Sequence, residues 1–443
     1  MRYSHLYLFL ALVAVAVRAS DSIPAARPAG AVLLRGATVH TVSGADLLAT
    51  DVLLRGGKIA AIGVKLAVPK DAAVVDVSGK HIYPGLISAY TGMGLVEMES
   101  VRGTIDLAET GTLNPNARAQ SALNPDSELI PVSRSNGILT ALSVPLSSGL
   151  IAGTSTLIRM DGWTYEDLTI RAAVALHVFW PNMTVNRDPN AVRPVAEQER
   201  TIADNIRKLR DAFATARAYL KAKQGAAGKP VDFDSRWEAM IPVLRGELPV
   251  FVHADERSQI EAAVAWAKQE NLKITIVGGI EAWKVADLLK ANDIPVIVGP
   301  VLTLPLHRED PFDATYANPG KLFAAGVRFC IANDGGSGGM GAMSDRNLPY
   351  QAGKAAAYGL PPAEALKSIT LYPAQLLGVA GELGSIEVGK RATLIVTDGD
   401  PIEIPTKVEQ AYIDGARIDL SNRHTRLYEK YQKRYEQLKA TKS

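Results

Sequence analysis

Apolar positions along the chain fall into two textures. Near the N-terminus, AVLLRGATVHTV, TDVLLRGGKIAAIG and AAVVDVSGKHIYPG alternate β-branched and polar residues between Gly-containing turns, which predicts the strands of a small sheet domain. The same texture returns in LGSIEVGKRATLIVTDGDP and VEQAYIDGARID. Each end alone offers few strands to bury two faces, so residues 31–83 and 381–420 are expected to form one discontinuous β-sandwich. From Pro249 the pattern changes. The short runs PVFVH, KITIVGG, IPVIVGP and VRFCIAND are separated by amphipathic stretches over Arg257 to Glu270, Ala282 to Ala291 and near Lys321. Strands apolar on both faces between helices predict a parallel sheet. With PGLISAY, ILTALSVP, TSTLIRM and AAVALHVF added, the count reaches that of a closed (β/α)8 TIM barrel over residues 84–380, an α/β fold. Charged helices over 197–224 and in the tail, 421–443, are expected on the outside.

Length and composition allow this. The chain has 443 residues, 47% of them hydrophobic, enough for a barrel-sized domain and a smaller companion. Its start carries Arg2, an apolar run from Leu6 to Val17, and small residues at Val17 and Ala19, the layout of a signal peptide over residues 1–19. The run is too short to span a bilayer. Export to a periplasm or the medium is therefore expected, without stable membrane insertion after cleavage. Cleavage removes Arg2 and Arg18 and brings the 48 basic residues level with the 46 acidic ones, so nothing draws the protein to nucleic acid. Cys330, the one cysteine, sits in an apolar run and is expected in the core.

The junction HIYPGLISA, the helix ITLYPAQLLGV and the return LGSIEVGKRATLIV followed by DGDP together resemble the amidohydrolase superfamily, particularly its imidazolonepropionase-like exported members. The resemblance covers nearly the whole mature chain. It implies a split sandwich flanking a barrel, and hydrolysis of amide, imide or ring C–N bonds of small molecules. It also implies one or two zinc-like divalent metals at the carboxyl ends of the barrel strands, and a homodimer.

Read strand by strand, the implied metal centre is sparse. Where the family has two histidines one residue apart on its first strand, this chain has Tyr90 and Gly92. The fourth strand has no lysine, only His177. The fifth supplies His253 at a ligand position, and the sixth has Gly278 and Gly279 where a histidine belongs. The eighth ends in Asp334, matching the family's proton-accepting aspartate. His253 and Asp334 are thus the expected catalytic and metal positions, and two ligands would hold a metal weakly. Tyr90, His177, Gly278, Gly279 and His307 are expected around the pocket. Glu247, Asp255 and Glu256 flank the fifth strand near the expected mouth as weak candidates to fill the gap, Glu309 and Asp310 read as solvated loop charges, and Tyr90, Trp163, Phe179 and Trp180 as aromatic candidates. GSGGMG fits G-x-G-x-x-G, but the stretch after it reads as helices, so a rim loop over Gly335 to Gly341 is expected instead of a dinucleotide site.

Two functions follow. One is a hydrolase of non-peptide C–N bonds with most metal ligands missing, Asp334 acting as base and His253 binding a metal or polarising the carbonyl. The other is a binding or scaffold protein that kept the fold and lost the chemistry.

Overall fold

The computed structural model describes residues 22–146, 149–188, 190–225, 230–333 and 339–440. The expected signal peptide and Asp334 lie outside the described residues, as do Gly335 to Gly338 of the expected rim loop. The rest of that loop opens a short helix, Gly339–Ser344.

The N-terminal strands are β1 (Val32–Val39), β2 (Leu47–Arg55), β3 (Lys58–Gly63), β4 (Ala73–Asp76) and β5 (His81–Pro84). The middle of the chain contributes β6 (Leu86–Thr91), β7 (Ile138–Ser143), β8 (Ile151–Thr154), β9 (Thr156–Arg159), β10 (Thr169–Arg171), β11 (Leu176–Phe179), β12 (Val250–Ala254), β13 (Ile274–Gly278), β14 (Val296–Val298) and β15 (Phe329–Ile331). The C-terminal part adds β16 (Leu394–Thr397), β17 (Val408–Ile413) and β18 (Ala416–Arg417). Both chain ends contribute to one sheet of eight strands, joined where β16 pairs antiparallel with β5. Val52, Leu54, Ile59 and Ile82 from one end pack with Ile386, Leu394, Val396 and Tyr412 from the other.

The middle strands form two further sheets, ordered β10-β9-β7-β6 and β15-β14-β13-β12-β11-β8. Strands β11 to β15 are all parallel, as are β6 and β7. One expectation is corrected. The segment TSTLIRM is not a parallel strand: β9 runs antiparallel to β7, and β8 antiparallel to β11. A parallel return needs a crossover of about a dozen residues or more, and the chain between Ser143 and Ile151 is too short for one. It can only turn back, and the nearly continuous run β8–β9 links the two sheets. At their other edges, Ile331 N–H donates to Ser368 O and Ile87 N–H to Ile369 O, both 2.9 Å, so residues 368–369 connect β15 with β6.

Inward residues of these strands, including Ile87, Ala89, Leu142, Phe251, Val277, Ile297 and Cys330, make one buried cluster, so the interior is packed. Cys330 is fully buried there, as expected, and burial pushes its thiol up. The helix Arg257–Glu270 has the predicted bounds. The helix expected over Ala282 to Ala291 opens as a 3-10 turn over Ala282–Val285 and continues as Ala286–Ala291. The long helix Val195–Gly225 is less external than its charge suggests: Leu209, Ala212, Phe213 and Ala216 are buried, and Phe213 meets Trp266 edge-on.

Candidate functional site

Side chains two apart on a strand share a face. His177 and Phe179 on β11 therefore share one, as do Phe251 and His253 on β12, and the parallel register pairs His177 with Phe251 and Phe179 with His253. The two histidines approach until His177 Nδ1 lies 2.9 Å from His253 Nε2. Phe179 stacks on the His253 ring with centroids 3.9 Å apart, and Tyr90, at the end of β6, meets it edge-on at 5.0 Å.

His177 has no exposed surface, whereas His253 keeps 9%. Burial holds His177 down to about 3, and burial followed by the neighbouring imidazole holds His253 well below the usual histidine value. Both rings are neutral at physiological pH, so one proton is shared along the contact. His177 Nε2 is buried without a hydrogen-bond partner. An orphaned buried N–H is rarer than an under-used acceptor. This assigns the tautomer in which His177 Nδ1–H donates to His253 Nε2, leaving His177 Nε2 a bare lone pair. His253 then carries its own proton on Nδ1.

The glycines at the expected ligand positions are not empty sockets. A Cβ on Gly92 would come within 2.9 Å of Leu107 Cδ2, and one on Gly278 would lie 2.2 Å from Asp255 Oδ1. Gly278 has φ +95°, and the adjacent Gly279 φ +58°, conformations that side chains disfavour. Gly279 N–H donates to Ala254 O at 2.9 Å, tying the end of β13 to that of β12.

The structure thus brings Tyr90, His177, Phe179 and His253 together, with Gly278 beside Asp255. His307 turns instead to Glu281, its Nε2 lying 3.2 Å from Glu281 Oε1. The Glu281 carboxylate is nearly buried; it also accepts from Lys284 Nζ at 2.6 Å and from the Arg257 N–H at 2.8 Å. Asp310, expected as a solvated charge, is corrected: its side chain is 8% exposed and pairs with Lys284 at 2.7 Å. A cation five residues after Gly-Gly gives no sign in the sequence of selecting that partner. Of the other aromatics, Trp180 packs on Trp266 and Trp163 is exposed. Trp163 lines a cavity of about 270 Å³ with Ser22, Arg134 and Asp161. That cavity lies past the end of β9, whose Arg159 pairs near the start of β7, at the opposite ends of the parallel strands from His253.

Residues 248–418 match the Amidohydrolase family. The chain is 24% identical over 409 residues to the amidohydrolase tasK of Hapsidospora irregularis, covering 85% of this chain but 41% of that protein. It is 26% identical over 404 residues to the imidazolonepropionase of Pseudomonas aeruginosa (strain UCBPP-PA14), covering 85% and 92%. The solved structure of an amidohydrolase from Thermotoga maritima MSB8 superposes with a TM-score of 0.76 at 26% identity, covering 88% of this chain and 99% of that one.

Proposed function

Because the chain belongs to the amidohydrolase superfamily, on its imidazolonepropionase-like side, we propose that it hydrolyses a non-peptide C–N bond in a small amide or cyclic amide, with most of the superfamily's metal ligands lost. In this reading β6–β7, the antiparallel run β8–β9 and β11 to β15 form a variant of the (β/α)8 barrel over residues 84–380. The shared sheet of the chain ends stands for the β-sandwich. The chain is exported, sheds residues 1–19 and forms a homodimer.

The hydrogen-bonded His177–His253 pair carries the proposal. Relatives in this superfamily use divalent metals, and the donors here do not suit one. The Nε2 of His253 is engaged by His177, its ring face is covered by Phe179, and the space at Gly92 is taken by Leu107. Among the described residues no three His, Cys, Asp or Glu side chains gather as a metal would require. A neutral imidazole can instead act as an electrophile, donating to a carbonyl oxygen as negative charge develops on it. His253 Nδ1–H is that donor, and His177 fixes the tautomer. Asp334 takes the proton of the attacking water, a role resting on its match to the family motif.

The test combines metal analysis with hydrolysis of a panel of small amides and cyclic imides by the parent protein, His253→Ala and Asp334→Asn. Turnover that survives chelation and disappears in both variants supports the proposal. A full complement of metal, unaffected by either change, would show the site to be elsewhere. The reading as a binding or scaffold protein is favoured by the same sparse donor set among the described residues. Saturable binding of a panel member without turnover would establish that alternative.

A further inference from the structure

The C-terminal helix Arg423–Ala440 has no buried residue. It is anchored at its start, where Asn422 Oδ1 accepts the His424 N–H at 2.9 Å and Arg426 pairs with Glu128 at 2.9 Å. Beyond that point it runs along solvent. Most helical stability in proteins comes from burying a face, so a helix of this length with nothing buried calls for a surface to lie on.

Its sequence specifies what that surface is. On a helical wheel, Leu427, Tyr428, Tyr431, Tyr435 and Leu438 fall within an arc of about 100°. These five are between 41% and 65% exposed. Arg423, Lys430 and Arg434 border the stripe on one side and Lys439 on the other, while Glu429 and Glu436 point away from it. A second copy of the helix is a poor occupant. In either orientation the positions flanking the seam would set cation against cation, and three phenol hydroxyls would enter a dry interface.

An anionic bilayer surface satisfies both features. Lys and Arg stems can lie along the apolar boundary while their charges reach phosphate, and tyrosine favours the interface between acyl chain and headgroup. We propose that this helix adsorbs in the plane of a membrane surface rich in anionic phospholipid, with the Leu427–Leu438 stripe facing the acyl boundary. It is adsorption rather than spanning: among the described residues no helix is long and apolar enough to cross a membrane. The proposal is independent of the chemistry at His253.

Co-sedimentation of the full mature chain with vesicles tests it, comparing phosphatidylglycerol mixed into phosphatidylcholine with phosphatidylcholine alone. Binding is expected only to the anionic vesicles and should weaken as salt is raised. Each cation near an anionic surface contributes about 1 kcal/mol, roughly fivefold in partitioning, so Arg434→Gln with Lys439→Gln should lower it by about 25-fold. Tyr431→Ser with Tyr435→Ser should also lower it while leaving thermal unfolding of the folded domains unchanged. Equal binding to both vesicles, no binding, or full binding by either double variant would overturn the proposal. So would a concentration-dependent dimer abolished by the tyrosine changes, or capture by an acidic polypeptide such as polyglutamate without capture by anionic vesicles.

Discussion

Asp255 occupies the space that any side chain at Gly278 would need, its Oδ1 lying 2.2 Å from where a Cβ would be. A glycine at this position is thus built into the backbone, because Gly278 also holds φ +95°. Gly278→Ala or Gly278→His should therefore destabilise the fold by at least about 2 kcal/mol, from left-handed backbone strain and overpacking together. Adding Asp255→Ala should recover the packing part but not the backbone part. Denaturant midpoints for the single and double variants check this, and an unchanged midpoint for Gly278→Ala would refute it.

This pair also shows where sequence reading stops. The glycine at the end of KITIVGG is visible in the sequence, and so is the aspartate two positions after His253. Their meeting is not, because it depends on the parallel register that sets Ala254 beside Gly278. The resemblance points to His253 at the end of PVFVH and to His177 around the pocket, but not to their contact, since a histidine in an apolar strand gives no sign of its neighbour until β11 and β12 pair. The antiparallel course of β8–β9 was within reach, because the short link from Ser143 to Ile151 already rules out a parallel crossover. The division of the chain into two textures needed no such pairing, and both chain ends do share one sheet.

The histidine pair should make stability depend on pH. Burial lowers both imidazoles in the folded chain, His177 to about 3. The unfolded chain therefore binds their protons first as the solution is acidified. Their contribution is complete above the unfolded value of about 6.5 and is lost as pH falls from there toward the folded values, with a slope of up to about 1.4 kcal/mol per pH unit for each group. His177→Leu should cost about 1 to 3 kcal/mol at neutral pH by breaking the contact. It should also flatten the acid limb. Urea unfolding of parent and variant between neutral and mildly acidic pH measures both effects, and parallel limbs would exclude His177 as a contributor.

Arg134 and Asp161 form a buried ion pair at 2.6 Å that holds the start of the described chain. Arg134 also donates to Ser22 Oγ at 2.7 Å, and Asp161 Oδ2 accepts the Ala25 N–H at 2.9 Å. Asp161→Ala leaves a nearly buried cation uncompensated, for an expected loss of about 3 to 5 kcal/mol. Arg134→Met combined with Asp161→Leu should lose less than Asp161→Ala alone, since neither charge is then stranded. Both variants should release residues 22–27, read as faster proteolysis at Arg27. Protection at Arg27 equal to that of the parent would show that the pair does not hold the segment.

The shared sheet gives the last prediction. Truncation at Gly381 removes β16, β17 and β18, and with them the antiparallel partner of β5 over His81 to Pro84. It also removes Ile386, Leu394, Val396 and Tyr412 from the cluster that covers Val52, Leu54, Ile59 and Ile82. The remaining strands would expose an apolar face and an unpaired edge, a combination that templates association between chains. Adding back the strands as a separate peptide would not restore the arrangement cheaply, because β5 leads directly into β6 and anchors the first strand beneath Tyr90. The truncated chain should aggregate on expression, and any soluble fraction should lack a cooperative thermal transition. A soluble product that unfolds cooperatively at the parent's midpoint would mean that the N-terminal strands close their core without the C-terminal ones.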